Sequence, residues 1–192
     1  MVAIHLVNTF FLLASLTLTA WWASGGEPVR LRGQGWPLLA LSLGFVSLLI
    51  LGASGAVTAL GDTLFPAGSL AEGLQQKFSP TAHLFVRLRL WHPAIAIGVG
   101  IYLILIAGLF NALRPARHTR RLAKILTVTY LVQLVMGAVN VVLLAPVWMQ
   151  LLHLFVSDII LIVWVLFMVA AFARTEQAVI VAKARYGSIP SS

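Results

Sequence analysis

The stretch Val86–Gly98, "VRLRLWHPAIAIG", decides how this chain is read. Two arginines and a histidine lead directly into an apolar run that continues to Leu113. Counted from His83, the segment holds about 30 residues, or about 45 Å of helix, against a bilayer hydrocarbon core of about 30 Å. Such a helix crosses a membrane with turns to spare. The turns bearing Arg87 and Arg89 are therefore expected to project into an interface, with the imidazole of His92 at the mouth of the span.

The rest of the chain repeats the pattern. Apolar runs of about 18 residues or more predict further helices at about Val2–Trp22, Trp36–Leu60, Ala123–Leu144 and Met149–Ala173, beside His83–Leu113. Breaker-rich stretches separate them: "SGGEPVRLRGQG", "GDTLFPAGSLAEGLQQKFSP", "RPARHTRR" and "APVW". With 60% hydrophobic and 9% charged residues over 192 positions, the composition excludes a soluble domain, in which about 25% of residues are charged. The expected fold is all-α, a polytopic transmembrane bundle of five helices in the cell membrane. The apolar run begins at Val2 with no basic stretch before it, so it reads as a retained span rather than a signal peptide.

A net charge of +8 does not point to nucleic acid, because the basic residues cluster beside apolar runs instead of forming a stripe. Arg30, Arg32, Arg114, Arg117, Arg120, Arg121, Lys124, Arg174, Lys183 and Arg185 fall on one side of the bundle, and Lys77, Arg87 and Arg89 on the other. Ten against three makes the first side cytoplasmic, with the N-terminus outside and the C-terminus inside. The absence of cysteine removes disulfides, thiolate metal sites, iron–sulfur clusters and cysteine nucleophiles together.

A faint internal repeat is visible. Gly55-Ala56-Val57-Thr58 and Gly137-Ala138-Val139-Asn140 each run outward to a proline and then to a histidine-bearing helix. "MVAIHLV" and "MQLLHLF" also match, with a histidine four residues after methionine in both. Residues 1–23 then read as an orphan helix, 36–173 as a four-helix unit and 174–192 as a cytoplasmic tail.

Ionisable groups within a bilayer are costly and are functional candidates by default. His5, His92 and His153 lie near the same ends of their helices. His92 and His153, from different helices of the four-helix unit, could face each other, and two opposed imidazoles are what bis-histidine haem ligation needs. A buried histidine bonded to a neighbouring carbonyl is the plainer alternative for each. Arg89, three residues before His92, shares its helical face, where a guanidinium would pair with haem propionates or simply snorkel to the interface. Arg87 is rotated away. His83 is about 900° of rotation from His92 and so on the opposite face, and His118 reads as a surface residue of a turn. Pro93 either bends its helix or marks a first turn. Asn8, Gln133, Asn140 and Asp158 suit helix packing, with a partner expected for Asp158; Gly52, Gly55 and Gly137 permit close approach of a backbone or of a planar ligand.

Taken together, "GASGAVTALGDTLFP", "LRLWHP" and "GAVNVVLLAPVWMQLLHLFVSD" resemble the heme A synthase family, and "AIHLVNTFFLLASLTLTAWW" resembles the helix that ends that family's first half. The resemblance covers nearly the whole chain. It implies an eight-helix enzyme of two pseudosymmetric halves. In the C-terminal half His92 and His153 match the pair that binds haem b; in the N-terminal half, where the methyl of haem O is oxidised through hydroxylation to the formyl of haem A, His5 matches the second histidine. In that scheme haem b relays electrons from an unidentified donor, the product serves cytochrome oxidase, and haem O and membrane lipid are the partners.

The departures are equally specific. The helices carrying that half's first histidine and its catalytic glutamate have no counterpart, and Glu27, Glu72 and Glu176 all lie off the spans. The paired cysteines of some members are missing. The chain is accordingly expected to be the last five helices of a longer enzyme: a fragment, a reading frame begun too late, or a part completed by another chain or in a homo-oligomer. A b-type cytochrome without catalysis of its own, and a haem-free assembly subunit, are the rival expectations.

Overall fold

The computed structural model describes residues 1–78, 84–113 and 115–173, the side chains of residues 74, 76–78, 84–88 and 90 excepted. Expectations resting on the side chains of Lys77 and Arg87, on His83, on Arg114 and on the tail 174–192, with Arg174, Glu176, Lys183 and Arg185, lie outside the described residues. Among those residues the helices are α1 (Val2–Ala23), α2 (Trp36–Leu64), α3 (Leu70–Phe78), α4 (Leu84–Leu113), α5 (Arg117–Val142) and α6 (Val147–Phe172). All but α3 contain a stretch long and apolar enough to cross a membrane. The protein is an all-helical multi-pass membrane protein, as its apolar runs dictate.

Two boundaries and one added helix differ from expectation for identifiable reasons. Helix α2 continues four residues past Leu60, to Leu64: Phe65 N–H closes its last turn on Gly61 O at 2.9 Å, and Arg89 of α4 reaches the carbonyls of both residues. Helix α5 begins at Arg117 instead of Ala123, with Thr119 Oγ1 bonded to Ala116 O at 2.9 Å, so most of "RPARHTRR" is helical and His118 is exposed on its first turn. The stretch after α2 is not all loop. Ser69 Oγ accepts from Glu72 N–H at 3.2 Å and the Glu72 carboxylate turns back to Gly68 N–H at 2.8 Å, a near capping box that starts α3.

The spans pack as neighbours α2 with α4, α4 with α5, and α5 with α6, while α1 lies against α2 and α6 and closes the bundle. At one end Arg30 N–H donates to Phe172 O at 3.1 Å, tying the segment after α1 to the end of α6. Burial is uneven along the helices. Trp164, Tyr130, Phe110, Phe167, Leu41, Leu103, Leu126 and Leu161 are the largest fully buried side chains, and all belong to this half of the bundle. Close approach makes that core possible: a Cβ on Gly44 of α2 would overlap the indole of Trp164, whose Nε1–H donates to Leu41 O at 3.3 Å. The opposite half, holding the starts of α4 and α6 and the ends of α2 and α5, is packed less completely, and the histidines lie there.

Candidate functional site

His92 sits in the first turns of the α4 span and leans on α2. Its Nδ1 lies 2.8 Å from Ser54 Oγ, and its Cε1 edge lies over Gly55, where an added Cβ would stand only 3.0 Å away. Glycine at that position lets the ring approach the neighbouring backbone. Pro93, beside it, stands inside α4 rather than at its start, in a helix that continues unbroken to Leu113.

His153 occupies the corresponding place on α6, against α5. A Cβ on Gly137 would stand 3.3 Å from its Cε1. Gln133, one turn earlier on α5 and only 9% exposed, points its amide nitrogen at three acceptors: Ser157 Oγ at 2.6 Å, His153 O at 3.0 Å and His153 Nε2 at 3.2 Å. The Nδ1 of His153 is buried without a hydrogen-bond partner among the described residues. The sequence repeat therefore has a spatial meaning: in each instance the glycine of one helix seats the histidine of the next.

The two imidazoles are half-buried and close enough to interact electrostatically. Among the described residues no three His, Cys, Asp or Glu side chains form a metal-holding group. A pair of imidazoles above a packed apolar floor suits an iron that brings its own equatorial ligands, as haem does. The glycine seats at Gly55 and Gly137, which let both rings lie close to the preceding helices, fit such a planar group. His5 is not part of the arrangement. It is exposed on α1, on the face opposite the buried Phe10, Ala14 and Thr17.

Arg89 is only 5% exposed, packed against the end of α2. Its Nε lies 2.7 Å from Asp62 Oδ1, and its Nη2 donates to Phe65 O at 2.9 Å and to Gly61 O. The guanidinium is thus joined to the end of α2. Sequence reasoning missed Asp62, although "GDTLFP" carried it, and missed Ser54 altogether. Gln133 does connect helices, as expected, but does so through a histidine. Asp158 departs from expectation: its Oδ1 is buried with no hydrogen-bond partner among the described residues, as is Oδ1 of Asn140. Asn8 is exposed, and Gly52 accommodates the ring of Phe10, so its role is packing.

Spans of this order and a histidine pair between their ends define a class, the multi-pass helical membrane proteins that carry paired imidazoles within the bundle. The chain belongs to the COX15-CtaA family of cytochrome oxidase assembly proteins, the heme A synthase family, whose model matches residues 1–165. Two curated relatives, each named protoheme IX farnesyltransferase, come from two strains of Thermus thermophilus. Each is 55% identical over 174 residues, covering 91% of this chain and 28% of the relative. The chain thus spans little more than a quarter of their length. No solved structure matches.

Proposed function

We propose that the chain is the haem b-binding part of a heme A synthase-type oxidoreductase, which converts the methyl of haem O to the formyl of haem A for cytochrome oxidase. The observation that carries this reading is the seating of His92 and His153, each over a glycine of the preceding span. Those two residues would hold the iron, and Leu103, Tyr130, Trp164 and their neighbours form an apolar floor below them. A haem bound there supplies one-electron chemistry; the protein supplies ligation, orientation and a dry floor. The excess of Lys and Arg at the other end of the bundle supports an outward-facing histidine end.

The name of the Thermus relatives concerns farnesyl transfer to protohaem. It supports haem as the substrate class of the longer proteins, and prenyl transfer and methyl oxidation are told apart by their products. Membranes containing the full chain, supplied with haem O, should yield haem A on chromatography and mass spectrometry; farnesylated haem formed from protohaem would instead favour transfer. A second reading, a b-type cytochrome without its own catalysis, is supported by the outward exposure of His5. It predicts a haem-loaded chain with no haem A formed. For both haem readings the purified, haem-loaded chain should show a low-spin bis-histidine spectrum that His92→Ala and His153→Ala each abolish and His118→Ala leaves intact. A chain that takes up no haem returns the protein to a structural assembly role.

A further inference from the structure

The two histidines are held by different chemistry, and the hydrogen-bond inventory fixes the proton on each. Ser54 has one hydroxyl proton, and its Oγ lies 2.8 Å from both Leu51 O and His92 Nδ1. Both contacts are satisfied together only if the hydroxyl donates to the carbonyl and accepts from Nδ1–H. His92 is then the tautomer with a bare Nε2, and its N–H is bonded. Such a bond orients a ligating imidazole and increases its basicity.

Gln133 imposes the same tautomer on His153 from the other side of the ring. His153 O can only accept, so the amide nitrogen, and not its oxygen, must face it; that nitrogen also faces Nε2 at 3.2 Å. Nε2 is therefore an acceptor and the proton sits on Nδ1, where it has no partner among the described residues. The contact to Nε2 is the longest of three acceptors competing for two amide N–H groups. For iron to take Nε2 the amide nitrogen would have to withdraw from it: one Fe–N bond would form, one N–H···N contact would break, and no proton or electron would move.

We infer that Ser54 and Gln133 are positioning residues that make the two histidines unequal, with His92 the anchored ligand and His153 the exchangeable one. The inference rests on the haem reading above. Ser54 strengthens its imidazole through Nδ1–H; Gln133 stands where iron would bind, and among the described residues no acceptor supports the opposite nitrogen of His153.

The test uses the full chain, purified in detergent and loaded with haemin. His153→Ala should retain haem as a five-coordinate, high-spin species that added imidazole returns to low spin, whereas His92→Ala should lose haem on dilution. Carbon monoxide added to the ferrous wild type should displace His153 and leave an imidazole-ligated carbonyl adduct. Ser54→Ala should weaken haem retention about tenfold and move the midpoint potential positive, and Ser54→Thr should restore both. Gln133→Leu, which clears Nε2 of His153, should lower the apparent affinity for carbon monoxide. Imidazole rescue and the Ser54→Thr control separate a ligand effect from misfolding. Equal haem loss in the two histidine variants, or an unchanged potential and affinity in Ser54→Ala, overturns the inequality while leaving the haem site standing. A wild-type chain that binds no haem overturns the haem reading itself.

Discussion

Nε of Arg89 stands 2.7 Å from Oδ1 of Asp62, and the same guanidinium serves the carbonyls of Gly61 and Phe65, so one side chain of α4 closes the last turn of α2. This contact holds together the two helices that seat His92. Removing one partner of a buried ion pair costs about 3–5 kcal/mol because the other charge is stranded. Asp62 is 23% exposed, so Arg89→Ala should cost less, about 2–3 kcal/mol. Arg89→Lys should recover only part of this, since an ammonium lacks the planar fork that reaches Asp62 and the carbonyls together. Thermal unfolding of the haem-free protein in detergent measures the effect. An unchanged midpoint there, with weakened haem binding, would assign Arg89 to propionates instead of to α2.

Gly55 and Gly137 should respond unequally to the same substitution. A Cβ on Gly55 would stand 3.0 Å from His92 Cε1, tighter than the 3.3 Å at His153 from Gly137. Gly55→Ala should therefore perturb the low-spin electron paramagnetic resonance signal of the haem-loaded chain more than Gly137→Ala. Valine at either position should abolish the signal. Identical spectra for the two alanine variants would contradict the seating of His92.

In the packed half, Gly44→Ala forces a methyl group into the indole of Trp164, which is fully buried and cannot retreat without moving Phe167 beside it. Overpacking of this kind costs about 1–3 kcal/mol. The double variant Gly44→Ala with Trp164→Phe should be more stable than the sum of the single changes predicts, because the smaller ring vacates the contested space. Additive losses in thermal scans would mean that the two residues do not meet.

Between α5 and α6, Leu144 and Ala145 adopt φ of 59° and 55°, the left-handed region that disfavours residues with a Cβ. The turn is held there by Ala145 N–H donating to Asn140 O at 2.8 Å and by Pro146 opening α6. Ala145→Gly relieves the clash and should stabilise the protein by about 1 kcal/mol. A lower unfolding midpoint in that variant would show that chain entropy in the unfolded state outweighs the strain.

The positions of the spans were legible because a bilayer demands long apolar runs, and no tertiary contact is needed to see them. His92 and His153 were legible for a related reason: an ionisable ring in such a run stands out. The beginning of α3 was written as Ser69-Leu70-Ala71-Glu72, a capping signal hidden inside a stretch that otherwise reads as loop. Ser54 and Asp62 were not legible as partners. They lie 38 and 27 positions before the side chains they meet, and nothing in the intervening residues encodes which faces of α2 and α4 come together.

The sequence by itself determined that the chain is a bundle of membrane-crossing helices with two histidine-bearing spans, since length, apolarity and spacing are properties of each segment alone. Only the tertiary structure decided that His92 and His153 are brought together while His5 faces outward. It also decided that Arg89 is buried against α2, and that Ser54 and Gln133 govern which imidazole nitrogen is bare. Those outcomes depend on the rotation of each helix about its axis. Close contacts such as Gly44 with Trp164 and Gly55 with His92 fix that rotation, and they exist only when all the helices are packed.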